Sequence, residues 1–238
     1  VSRTSSQDFL EKQMKDRPRT IAYVVLAISL AAAFFFAASF PAVEGLGTKV
    51  RLPVFHGAMT WVNLAAFALL GIMAIAYLIT RKEGVYRWEE GLRWVAVPMW
   101  VIGSVLGLLA ALKTWDFTGS KSSPMSLVMA DPRLTAQFWI LLAGLALLAF
   151  GVMTDDKWLL SILDLGFVAV AWVVLLRAIL GPGRALHPDS PVMNSDEIMI
   201  KLLFLGIVAS LSVATLAGAW LIARWRTHSA SDATLAVG

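Results

Sequence analysis

Residues 53–80, PVFHGAMTWVNLAAFALLGIMAIAYLIT, decide the class of fold. The run holds no Asp, Glu, Lys or Arg, and it exceeds the roughly 20 apolar residues that cross about 30 Å of hydrocarbon as a helix. In lipid every backbone polar group has to be paired within its own segment, so a run of this kind reads as a membrane-spanning helix. Working outward finds five more spans, at residues 21–43, 91–112, 134–153, 158–180 and 198–223. The composition of the whole chain agrees: 238 residues, 58% hydrophobic and 15% charged, with a mean hydropathy of +0.74. Soluble domains carry about 45–50% apolar and roughly 25% charged residues, which excludes that class, and disordered chains need the opposite balance. The expected fold is all-α: a polytopic integral membrane protein built as a six-transmembrane-helix bundle.

Around this 21–223 transmembrane domain lie a polar arm, 1–20, and a tail, 224–238. The arm holds Arg3, Lys12, Lys15, Arg17 and Arg19 and is expected to form a short interfacial helix ending before Pro18. The apolar run after it is longer than the 7–15 residues of a signal-peptide core, so it is expected to stay as a membrane helix. Pro98 falls inside the third span, which membranes tolerate when neighbouring helices re-satisfy the freed backbone. The tail from Ser229 is expected to fray.

Lys and Arg concentrate in the arm, the 81–93 joint, the 155–157 turn and the residues after Ala223, more than in the alternate joints. Positively charged joints face the cytoplasm, so both termini are expected there. The joints at 44–52, 113–133 and 181–197 then face outward. A net charge of +4 and a pI near 9.6 are explained by this orientation, without nucleic acid.

There is no cysteine, which removes disulfides, thiolate metal sites, covalent c-type haem attachment and cysteine nucleophiles. Gly45-Leu46-Gly47-Thr48-Lys49 lacks the spacing of a phosphate-binding loop. Serine-hydrolase and metalloprotease signatures are absent too, so no enzyme activity is expected.

Two of the three histidines, His56 at the head of the second span and His187 in the joint after the fifth, fall on the outer side; His228 lies in the tail and receives no role. Two imidazoles facing each other across a bundle mouth are one way to hold haem iron without covalent attachment. Zinc or copper would want a third or fourth ligand. Interfacial histidines bonded to backbone carbonyls are the plainer alternative, and the spacing does not choose between them.

Tryptophans number ten, and most sit near span ends, as an interfacial belt requires; Trp115 instead opens the 113–133 joint. Within the spans Asp164 stands out, because an intramembrane carboxylate is costly and signals function or a partner. It lies too far along its helix to reach Arg177, and the sequence leaves its partner open.

Three local strings resemble the haem-handling membrane proteins of cytochrome c maturation, the CcmC-like cytochrome c assembly family. Residues 47–61, GTKVRLPVFHGAMTW, resemble that family's first outer histidine, with a Trp shortly after it. Asp131-Pro132-Arg133-Leu134-Thr135 resembles the end of its tryptophan-rich outer motif, W-x-W-D-x-R-L-T. Leu186-His187 resembles its second outer histidine, within W-W-N-T-L-H-Q. The likeness spans nearly the whole chain in length, helix number and histidine placement.

It implies a non-covalent b-type haem at the outer face of a bacterial cytoplasmic (inner) membrane, with His56 and His187 as the axial ligands to iron. It also implies partners: membrane lipid, other membrane subunits, a separate ABC transporter ATPase chain and a haem chaperone receiving the cargo. Asp131, Arg133 and Thr135 would shape the segment covering the porphyrin.

The sequence departs from the pattern at Leu127-Val128-Met129-Ala130 and at Pro182-Gly183-Arg184-Ala185, where the family carries tryptophans. Two readings follow. Either a diverged haem protein covers the ring with Trp115, Phe117 and Met129, or the scaffold has become a non-catalytic accessory subunit of a larger respiratory or photosynthetic membrane complex.

Overall fold

The computed structural model describes the backbone of residues 5–181, 192 and 195–236, and the side chains of 17–181, 192 and 195–225. Seven α-helices and one short 3-10 turn make up the described chain: α1 (Ser5–Ala38), the turn Thr48–Val50, α2 (Arg51–Thr80), α3 (Glu83–Thr114), α4 (Pro124–Met129), α5 (Pro132–Met153), α6 (Lys157–Leu180) and α7 (Ile198–Ala236). All but α4 contain a stretch long and apolar enough to cross a membrane, which gives the six-span bundle.

The bundle is layered. Helices α2 and α3 pack on each other at its centre, the α5–α6 pair lies against one side, and the α1–α7 pair against the other. One core cluster joins α2, α3, α5 and α6 through Phe67, Leu70, Trp100, Ile140 and Phe167, with Phe67 edge-on to Phe167 at 5.0 Å between ring centroids. A second joins α1, α2 and α7 through Ala33, Phe40, Val54, Val62 and Ile207. The α1–α7 seam also holds an apolar groove of about 390 Å³, lined by Pro18, Ile21, Val25, Leu216 and Trp220 among others. Large apolar side chains such as Phe35, Ile79, Val152 and Leu180 stay exposed on the outer surface of the bundle, as lipid-facing residues must.

Local chemistry sets the helix ends. Asp156 caps α6 by accepting from the Trp158 and Leu159 amides at 3.0 and 3.1 Å. Arg81 ends α2 in the left-handed conformation, φ 56°, and its guanidinium lies over the Tyr77 and Trp158 rings. Buried Asn63 staples α2 to α3 next to Pro98: with its amide oriented to satisfy both groups, it donates to the Ala96 carbonyl at 3.0 Å and accepts from the Trp100 amide at 3.3 Å.

Three boundaries differ from the sequence expectation. Helix α1 continues through Pro18 instead of stopping ahead of it, since a proline removes one hydrogen bond without forbidding the turns on either side. Helix α7 remains helical to Ala236, where small residues suggested a frayed tail. Helix α3 starts at Glu83 and not near Gly91, so most of the expected 81–93 joint is helix. The third difference brings Glu89 and Glu90 into the bundle beside Arg93.

Candidate functional site

Alternating helix directions gather the start of α2, the end of α3, helix α4, the start of α5 and the end of α6 at one end of the bundle. His56 lies there, in the second turn of α2. Its Nδ1 is 2.9 Å from the carbonyl oxygen of Gly103 on α3. A carbonyl only accepts, so Nδ1 carries the hydrogen and donates it. In the neutral ring the lone pair then resides on Nε2, the tautomer in which a backbone-anchored histidine ligates a metal. The ring is half-buried and seated against α3 one turn further on, where a side-chain carbon on Gly107 would stand 2.6 Å from its Cε1 and 2.9 Å from its Nε2. Gly107 thus permits the imidazole to lie between the two helices.

The segment expected to cover a porphyrin occupies the same end. Trp115 and Phe117 are half-buried just past α3, and Met129 is 43% exposed at the end of α4. Between them Asp116 accepts from the Thr118 amide at 2.9 Å, which holds its carboxyl below the ordinary carboxylate range. Buried Asp131 caps α5 by accepting from the Arg133 and Leu134 amides at 2.9 and 3.4 Å, with Pro132 in the first turn. Thr135 donates to the Met129 carbonyl at 2.9 Å and ties α5 back to α4. Arg133 is half-buried beside them. The string Asp131-Pro132-Arg133-Leu134-Thr135 is therefore a helix-start motif with its own physical reason. His187 falls outside the described residues, and so does the side chain of His228.

Among the described residues no group of three His, Cys, Asp or Glu could hold a metal ion. Haem would ask instead for one imidazole on each side of its iron, and the donor type and backbone anchoring of His56 would suit one such position.

A second polar constellation lies toward the other end of the bundle. Arg93 is completely buried in α3 and donates from Nε and Nη2 to the two carboxylate oxygens of Asp164 on α6, at 2.8 and 2.6 Å. The two-pronged geometry offsets the cost of removing both charges from water, several kcal/mol per ion if either were left alone. Glu89, one turn back on α3 and also fully buried, has an oxygen 3.9 Å from Nη2. Gly151 of α5 closes over the guanidinium, where a side-chain carbon would stand 3.4 Å from Nη1. Nearer the helix ends the Tyr77 and Tyr86 rings pack at 5.1 Å, and Lys157 pairs with Glu83 at 2.7 Å.

Asp164 thus finds its partner on a neighbouring helix. In sequence Arg93 lies where the 81–93 joint and the 91–112 span overlap and counts among the orienting charges, which leaves it unmatched to Asp164. A helical projection of α3 carries the missing signal: Tyr86, Glu89, Glu90 and Arg93 recur at spacings of three and four.

Comparison with known proteins returns no match, either to a protein family or to a curated sequence.

Proposed function

We propose that this membrane protein binds a b-type haem at the His56 end of the bundle and passes it to a partner, without catalysing a reaction itself. The observation that carries this reading is the anchoring of His56: one ring nitrogen donates to the Gly103 carbonyl, which fixes the ring's orientation and assigns the lone pair to the other nitrogen. His187, in the segment between α6 and α7, would supply the second axial position. Trp115, Phe117 and Met129 would cover the macrocycle, and Asp131 and Thr135 would hold their segment in place by capping α5 and tying it to α4. Haem supplies the iron and the redox couple; the chain supplies two neutral imidazoles and an apolar edge.

Retention by this site is expected to be modest. Aromatic stacking adds about 0.5–1.5 kcal/mol per pair beyond burial, and the segment in which the resembling family carries its tryptophans reads Leu127-Val128-Met129-Ala130 here. Weak retention suits a protein that releases its cargo. The cytoplasmic membrane of a bacterium is the proposed location, the proposed setting is cytochrome c maturation, and an ABC-type ATPase chain and a haem chaperone are the proposed partners.

The close fit of the His56 ring against Gly107 favours a second reading, in which the imidazole is a packing residue of a scaffold reused as an accessory subunit. Visible spectra of the purified chain, oxidised and dithionite-reduced, separate the two. A low-spin b-type spectrum lost in both His56→Ala and His187→Ala supports haem binding. A featureless wild-type spectrum after expression with ample haem leaves the accessory reading.

A further inference from the structure

We propose that Glu89 and Asp164, set around Arg93, form a proton-binding site at the junction of α3 and α6. The haem reading neither uses this cluster nor depends on it.

Geometry and charge counting carry the proposal. Glu89 has no exposed surface, and neither of its carboxyl oxygens has a hydrogen-bond partner among the described residues. The nearest cation is already committed: Arg93 makes its two short bonds to Asp164, while Glu89 stands off at 3.9 Å. Two carboxyls therefore face one guanidinium, and an ionised Glu89 would leave an uncompensated negative charge in the interior, which buried sites avoid.

Among the described residues Arg93 is the one cation within 4 Å of the Glu89 carboxylate. On α3 the neighbours are Tyr86, Glu90 and Arg93, and on α6 they are Ser161 and Asp164. Helix α5 contributes Gly151 beside Arg93, α7 brings the backbone of Ala219 against Gly91, and α2 contributes Tyr77 against Tyr86. Lys157 is engaged with Glu83 nearer the helix ends. A metal ion is disfavoured because Arg93 would repel it and occupies the coordinating face of Asp164. A proton needs no coordination sphere. It comes from water, adds to one carboxylate oxygen of Glu89, breaks no other bond, and returns to water on release. The half-exposed Glu83 lies under two turns away along α3, roughly 9 Å at 1.5 Å per residue.

With the proton bound, Glu89, Arg93 and Asp164 together carry no net charge, and the Arg93–Asp164 pair is the buried ionic link between α3 and α6. Release adds a charge that competes with Asp164 for Arg93, which couples proton occupancy to the packing of the two helices.

The test is infrared spectroscopy of the full chain in lipid nanodiscs at neutral pH, wild type beside Glu89→Gln, with size-exclusion profiles of both. The expected result is a protonated-carboxyl C=O band in the wild type that is lost in the variant, while the variant stays folded because Gln reproduces the neutral shape. Identical wild-type and variant spectra in that region would overturn the proposal. So would a variant that fails to fold beside a folded wild type, since that would show that the negative charge of Glu89 is required.

Discussion

At the His56 end a half-buried imidazole is anchored on a backbone carbonyl, whereas toward the opposite end a fully buried guanidinium is held from another helix by two carboxylate bonds. The difference is one of consequence on removal. A neutral hydrogen bond contributes about 0.5–1.5 kcal/mol net, while breaking a buried ion pair by deleting one partner costs about 3–5 kcal/mol because the remaining charge stays buried. The His56 end can therefore change or bind a ligand with the bundle intact. The Arg93 end cannot lose a partner without loosening the joint between α3 and α6.

The largest expected effect comes from breaking that pair. Asp164→Leu should lower stability by about 3–5 kcal/mol and deplete the folded peak in size-exclusion chromatography. The double variant Arg93→Met with Asp164→Leu should recover most of the loss, because no charge is then left alone. Recovery would sharpen the contrast between the ends, and a double variant as damaged as the single would break it.

Gly107→Ala should come next. The added carbon would meet the His56 ring at 2.6 Å, so the imidazole or α2 has to move, at a cost of about 1–3 kcal/mol for overpacking. Thermal unfolding gives the stability change, and the visible spectrum of the same sample reports whether haem content falls with it. Asp131→Ala should cost about 1 kcal/mol through loss of the α5 cap, measurable as faster amide exchange at Arg133 and Leu134. The smallest effect belongs to Lys157→Ala. Its pair with Glu83 is 41% and 49% exposed at the side chains, so about 0.2–1 kcal/mol is expected, falling further with added salt.

The spans were legible because apolar length is a one-dimensional property: residues 53–80 announce a membrane helix whatever packs against them. The start of α6 was readable in the same way, since the short 155–157 turn separates two apolar runs. The pairing of Arg93 with Asp164 was not legible. Glu89 and Glu90 beside Arg93 make the local composition look like a joint, and only the partner 71 residues away on α6 justifies its burial. The placement of His56 at the head of α2 came from sequence, but its bond to Gly103 and its seat on Gly107 depend on how α3 lies across α2. The string from Asp131 to Thr135 teaches the converse. Residues that carry a family likeness also serve a local helix start, so the likeness alone does not assign them to a ligand.

The most direct test of the central claim is the haem content of His56→Ala per folded chain, taken from the pyridine haemochrome spectrum of the size-exclusion peak and set beside the wild type. His56→Ala is expected to elute and unfold nearly as the wild type does, because the apolar core clusters stay in place, yet to carry little or no haem. A folded variant with wild-type haem content, or a wild type that is colourless after haem-rich expression, would contradict that claim.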